Sequence, residues 1–205
     1  MPSGHYFEPE PSVGSAPRTV RLDLADLSLA LTTDRGVFSA DAVDVGTKYL
    51  LMNAPAPPAT GNFVDLGSGY GPIAITLARR SPAATVWAVD VNQRARALTA
   101  ANAIANDAPN VIVEEPPSEV AIDLLWSNPP VRIGKAAMQS MLADWLARLA
   151  PTGRAVLVVN KNLGADSLAS WLRSQGYSVQ RLGSRLGFRL LEIRPEPGTD
   201  RRLTG

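Results

Sequence analysis

The chain has 205 residues, 45% of them hydrophobic, which is enough to bury one substantial core. Lys and Arg number 20 against 19 for Asp and Glu, so a net charge of +1 argues neither for nor against a polyanionic partner, although the stretch from Arg173 to Arg202 is locally basic. There is no cysteine and His5 is the single histidine, which excludes disulfides, thiolate metal centres and a histidine metal cluster.

The lead-in, residues 1–18, is rich in Pro, Gly and Ser and reads as a flexible entry. It lacks the apolar run of a signal peptide, and no segment nears the roughly 18 apolar residues of a membrane helix, so the expected location is the cytoplasm. Two alternating segments, Thr19 to Leu24 and Leu27 to Thr32, predict a hairpin turning at Ala25-Asp26, and Ser39 is the expected cap of a helix from Asp41 to Met52. The Pro-rich stretch Ala54 to Ala59 then forms a stiff linker.

Beyond it, strand and helix patterns alternate. Strands are predicted at Asn62 to Leu66, Thr85 to Val89, Val111 to Glu114, Ile122 to Ser127 and Ala155 to Val159. The helices between them are Pro72 to Arg80, Gln93 to Asn106, Lys135 to Ala150 and Asp166 to Gln175. Two last strands, Ser178 to Leu182 and Phe188 to Ile193, have too short a connection for a crossover and should pair antiparallel. This is the α/β pattern of a mostly parallel sheet covered on both faces, in which ligands bind beyond the carboxyl ends of the strands. The expected division is an N-terminal extension over 1–57, a ligand-binding domain over 58–195 and a tail over 196–205.

Three strand ends carry chemistry. After the first come Asp65, Gly67, Gly69 and Gly71, spaced G-x-G-x-G, with Pro72 opening the next helix. Glycine allows positive φ and close approach of a ligand to the backbone. After the second strand, Asp90 can accept hydrogen bonds from two ribose hydroxyls. The third glycine comes one residue early for the dinucleotide fingerprint and no P-loop lysine follows, which disfavours NAD and ATP. Asp65 is placed to hold a cationic amino group. After the fourth strand, Asn128-Pro129-Pro130 ends an apolar run. An isolated Asn-Pro-Pro is simply a rigid turn; beside a cofactor turn in the same sheet it offers two fixed acceptors, the Asn128 amide oxygen and the Pro129 carbonyl.

The segments Phe63 to Gly71, Val89-Asp90-Val91-Asn92 and Ser127 to Pro130 resemble the motifs of class I S-adenosylmethionine-dependent methyltransferases. Gly36-Val37-Phe38-Ser39, Gly46-Thr47, Asn128 to Lys135 and Gly187-Phe188-Arg189 narrow the resemblance to the methyltransferase-small-domain group, which includes ribosomal RNA small-subunit guanine-N2 methyltransferases. The resemblance spans roughly Thr19 to Arg194. It implies a Rossmann-like fold with a seven-stranded, mostly parallel sheet and an antiparallel last strand, plus a small hairpin and helix in front. It implies S-adenosyl-L-methionine as cofactor, held by Asp65, Gly67, Gly69, Gly71, Asp90, Val91 and Asn128, with Glu115 as the candidate contact to the adenine amino group.

An exocyclic amine is a poor nucleophile because its lone pair is delocalised into the base. If Asn128 and Pro129 each accept one N–H, the nitrogen can pyramidalise, and the rest is positioning. Pro129 and Pro130 lock φ and bring no competing N–H. The catalytic set is therefore Asn128, Pro129 and Pro130. Many relatives carry an aromatic after the prolines; here it is Val131, so base stacking falls to Phe38, Phe188 or Arg132, and Val131 contributes only apolar contact. Arg132, Lys135, Lys161 and Arg189 are candidates for phosphate contacts. RNA is favoured over duplex DNA because its loops offer unstacked bases. Methylation of a protein glutamine or of adenine in DNA, and a cofactor-binding assembly factor without activity, are the alternatives. The tryptophans Trp87, Trp126, Trp145 and Trp171 read as core.

Overall fold

A computed structural model of the protein describes residues 13–130 and 133–196. Val131 and Arg132, two of the expected substrate contacts, lie outside the described residues, as do most of the lead-in and the tail.

Strands β1 (Arg18–Asp23) and β2 (Ser28–Thr33) form an antiparallel hairpin, with Arg18 opposite Thr33 and Asp23 opposite Ser28. Helix α1 (Val45–Asn53) follows. Its start corrects the expectation of a Ser39 cap. Ser39 sits in the left-handed region at φ 57° and donates its hydroxyl to the Ala42 carbonyl, whereas Asp44 accepts the Thr47 N–H at 2.9 Å and caps the helix.

The main sheet contains β3 (Asn62–Leu66), β4 (Thr85–Val89), β5 (Val111–Ile112), β6 (Ile122–Ser127), β7 (Leu149–Asn160), β8 (Tyr177–Arg185) and β9 (Phe188–Pro195). Their spatial order is β5-β4-β3-β6-β7-β9-β8; all run parallel except β9, which is antiparallel to both neighbours. Helices α2 (Pro72–Arg80) and α3 (Gln93–Ala105) cover one face, and α4 (Lys135–Ala147) and α5 (Ala165–Ser174) the other. Alternation along the buried strands serves both layers: Phe63, Leu124 and Val156 point to one core, Val64, Leu125 and Leu157 to the other.

Several boundaries differ from the sequence reading, with β7 starting at Leu149 rather than Ala155 and β8 running on to Arg185 among them. Helix α4 stops at Ala147 rather than Ala150, because Leu149 joins the sheet opposite Ile122, whose N–H bonds the Arg148 carbonyl at 2.9 Å. Strand β5 is only two residues long and leads straight into the stretch with Pro116 and Pro117.

The hairpin and α1 do not have a core of their own. Leu22, Leu31, Leu50 and Leu51 are packed in one cluster with Ile75, Leu77, Phe63 and Trp126. Polar contacts tighten this docking. Asn102 of α3 and Asn106, the residue that caps its C-terminus, each pair with both backbone groups of a β2 residue: Asn102 with the N–H and C=O of Thr32 (both 2.7 Å), Asn106 with those of Ala30 (3.2 and 3.0 Å). Two side chains thus occupy an exposed strand edge.

Candidate active site

The carboxyl ends of β4, β3, β6 and β7, together with the start of antiparallel β9, open on one edge of the sheet. Asp90, Gly67, Asn128, Asn160 and Phe188 therefore stand in lateral sequence, and a cleft of about 470 Å³ runs over them. Asp90 and Asn128 are two strand spacings apart, about 10 Å.

The glycine turn is held by backbone bonds from Gly67 and Ser68 N–H to the Val89 carbonyl (2.8 and 2.9 Å). Gly67 and Gly69 have φ of 78° and 58°, and a Cβ on either would meet no atom within 4 Å, because the space beside them is the cleft. Gly71 shapes the turn from behind: it ends at φ 93°, and a side chain there would press on Thr99 at 3.0 Å. The Asp90 carboxylate accepts the N–H groups of Gly69 (2.8 Å) and Asn92 (2.9 Å) while lining the cleft; burial raises its pKa against the pull of these donors. Val91 is 59% exposed beside it.

Asp65 is not in the wall of the cleft. It is fully buried beneath the turn, with Oδ2 accepting the Ala74 N–H of α2 at 2.8 Å and Oδ1 without a partner among the described residues. Burial, with a smaller contribution from Asp90, pushes its pKa up to about 8.

On the other side, the amide nitrogen of Asn128 donates to Asp44 Oδ2 at 2.8 Å and to Thr47 Oγ1 at 3.1 Å. A carboxylate only accepts, so the orientation of this amide follows from its neighbour. Oδ1 is left as its acceptor, with no donor among the described residues. Pro129 is buried, and no described backbone N–H reaches its carbonyl. Pro130 lines the cleft and its carbonyl accepts from Ile133 at 3.3 Å. Phe38, 45% exposed, and Phe188 both line the cleft; Phe188 lies against Gly46, where a Cβ would come within 2.7 Å of the ring.

Lys135 is exposed at the start of α4 and Lys161 exposed after β7, outside the cleft lining. Arg189 is corrected as a phosphate contact: its side chain is 13% exposed and ion-paired with Asp166. Of the tryptophans, Trp126 and Trp145 are buried and Trp87 and Trp171 partly so, but Trp145 also reaches the cleft with Met141, which hydrophobic patterning alone did not single out. Arg148 stacks on Trp145 at 5.0 Å and donates to the Pro116 and Pro117 carbonyls (2.8 and 2.6 Å), holding the loop that brings Glu115 to the cleft. Asp44 was missed both as the helix cap, which the sequence reading placed at Ser39, and as a site residue, since its contact lies 84 positions away.

The charges of the cleft restrict what it can hold. Among the described residues its lining includes Asp44, Asp90 and Glu115 and no Lys or Arg. The charged groups a pyrophosphate would face are all carboxylates, while a cofactor with a cationic centre and a ribose fits, and the glycine cradle leaves room for it.

This sheet order, with a glycine turn after β3 and an acid after β4, defines a class I methyltransferase of the S-adenosylmethionine-dependent kind. The chain belongs to the methyltransferase small domain family, whose model matches residues 28–192. It is 30% identical over 198 residues to the uncharacterized protein YbxB of Bacillus subtilis, covering 94% of this chain and 98% of that one. It is 36% identical over 143 residues to ribosomal RNA small subunit methyltransferase C of Hahella chejuensis, 66% of this chain but 42% of that protein. In fold it is similar to a T. thermophilus 16S rRNA N2 methyltransferase solved with AdoMet and guanosine, with a TM-score of 0.72, 22% identity, and 91% and 52% of the two chains covered. The chain thus spans about half the length, or less, of the ribosomal RNA methyltransferases it matches.

Proposed function

We propose that the protein methylates an exocyclic amino group of a base in RNA, with guanine N2 of ribosomal RNA as the first candidate. The observation that carries this reading is the clamped Asn128 amide, turned nitrogen-first to Asp44 and Thr47, beside the Pro129 carbonyl, which no backbone N–H of the described residues reaches.

When bound, S-adenosylmethionine supplies a methyl group on a positively charged sulfur. Gly67 and Gly69 give it backbone to lie against, Asp90 accepts from its ribose hydroxyls, Val91 and Glu115 flank the base side, and Asn128 borders it. Asp65 and Gly71 act from behind the wall: Asp65 ties the glycine turn to α2 through Ala74, and Gly71 sets the turn's exit. Asn128 Oδ1 and the Pro129 carbonyl each accept one N–H of the amine, so its lone pair leaves conjugation with the base. Pro130 keeps the second carbonyl fixed. No strong base is needed, because the amine becomes acidic only as it acquires positive charge and its proton can then pass to water. The apolar rings of Phe38 and Phe188 hold the flat base. Lys135 and Lys161, outside the acidic cleft, meet the phosphates. The ribosomal RNA methyltransferases among the relatives support RNA as the substrate class. A cytoplasmic location agrees with it, and among the described residues no helix is long and apolar enough to cross a membrane.

Labelled methyl transfer from S-adenosylmethionine to unmodified ribosomal RNA, ribosomal subunits and protein, run in parallel, tests the proposal. Label in an RNA fraction supports it; label in protein alone, or in none, rejects it.

A further inference from the structure

Asp44 belongs to the N-terminal segment, yet its Oδ2 accepts two hydrogen bonds from different parts of the fold: the Thr47 N–H at 2.9 Å and the Asn128 side-chain nitrogen at 2.8 Å. The first caps α1. The second fixes the amide at the end of β6. Thr47 Oγ1, 3.1 Å from the same nitrogen, accepts its other proton.

An asparagine side chain can turn by 180° about its last bond at little cost when nothing distinguishes its two ends. The two states are opposite in function. With the oxygen toward the substrate, Asn128 accepts an N–H; with the nitrogen there, it presents donors to an amine that is itself a donor. Asp44 has only acceptors and discriminates between them through a charge-assisted bond. We propose that Asp44 is a positioning residue that selects the acceptor state of Asn128, with Thr47 as its second anchor, so that α1 completes a site otherwise built from the sheet. This rests on the reading of Asn128 as the acceptor of the substrate amine.

The residue between the two anchors agrees with this assignment. A Cβ at Gly46 would lie 2.9 Å from Asp44 Oδ2 and 2.7 Å from the Phe188 ring, so a glycine there lets the carboxylate and the aromatic approach the same backbone. Ser127, immediately before Asn128, is held in turn by its hydroxyl bond to the Leu66 carbonyl at 2.7 Å, which leaves the amide torsion as the freedom Asp44 must remove.

Asp44→Ser separates the two duties, because serine still caps the Thr47 N–H but is too short to reach Asn128. In the full-length protein, side-chain amide exchange of Asn128, assigned by its disappearance in Asn128→Ala, is expected to be slow in the parent and fast in Asp44→Ser. This arm decides the proposal whatever the substrate is; unchanged protection overturns it. On the RNA substrate, kcat should fall about tenfold to a hundredfold, while S-adenosylmethionine affinity by calorimetry stays within twofold. A cofactor affinity that falls by the same factor as kcat would mean that Asp44 holds the cofactor instead, and overturns the proposal. Asp44→Asn, which keeps an acceptor, should restore most of the rate. In single turnover, adding Asp44→Ser to Asn128→Ala should cost nothing further, and a full additional loss would overturn the link between the two. If the parent methylates no RNA, the function proposed above fails while the exchange and affinity measurements still stand.

Discussion

The two halves of the cleft are stabilised in different ways. The glycine turn is bound mainly from within the sheet domain: Val89, Asp90 and Thr99 hold it, with the Thr99 hydroxyl donating to the Gly69 carbonyl at 2.9 Å, and the N-terminal segment touches its surroundings through the Gly36 carbonyl on Asn92 and through Thr32 on Asn102. The Asn-Pro-Pro half depends on a partner from outside the sheet, since Asp44, the cap of α1, and Thr47 within it accept from the Asn128 amide. On the proposed mechanism, loss of the α1 contacts should impair the chemical step more than cofactor binding. Mutations should separate accordingly.

The largest expected effect is on the chemical step. Asn128→Ala removes an acceptor used when the amine pyramidalises, and kcat should fall about 10²- to 10³-fold, with S-adenosylmethionine affinity by calorimetry nearly unchanged. Asp90→Ala should do the reverse. It loses the ribose acceptor and frees the Gly69 N–H, so cofactor Kd should rise about tenfold to a hundredfold, while turnover at saturating cofactor changes much less.

A third substitution tests whether the docking of the extension is what connects the halves. Asn102 donates to the Thr32 and Tyr70 carbonyls and accepts the Thr32 N–H, joining β2 to the residue after Gly69. Asn102→Ala should destabilise the fold by about 2–3 kcal/mol in urea unfolding, and amide exchange should speed up at Thr32. Equal protection there would show that apolar packing alone docks the hairpin.

A pH dependence of stability follows from Asp65. Its carboxyl has an ordinary pKa of 3.8 in the unfolded chain and one of about 8 when folded. Between those values the folded protein retains a proton that the unfolded chain releases, so this group's contribution lowers stability as pH rises from about 4 to 8. Asp65→Asn keeps the acceptor for Ala74 and should flatten that fall, visible as a higher urea midpoint at pH 8 relative to the parent than at pH 4.5.

The sheet and its glycine turn were legible because local signals agree with the tertiary role. Pro72 opens α2 where it was expected, and the bounds of β3, β4 and β6 coincide with their apolar runs. Where local signals compete, the reading slipped: Ser39 and Asp44 are both plausible caps, and the Asp44 carboxylate wins because it also has Asn128 to bind. Leu149 and Ala150 suit a helix, but pairing with Ile122 draws Leu149 into β7. Arg189 looked available for phosphate because nothing in its neighbourhood of the sequence announces Asp166, which lies 23 positions earlier on another element. The site residues on strand ends could be found from spacing; those that meet across long separations, such as Asp44 with Asn128, could not.

The central claim is amine methylation on RNA through Asn128 and Pro129. Its most direct test is nucleoside mass analysis of unmodified ribosomal RNA incubated with S-adenosylmethionine and either the parent protein or Asn128→Ala. The account predicts one methyl group on an exocyclic nitrogen, as N2-methylguanosine, formed by the parent and lost in the variant while the variant still binds cofactor. Methyl on carbon, ribose oxygen or a ring nitrogen, or equal product from the Asn128 variant, would contradict it.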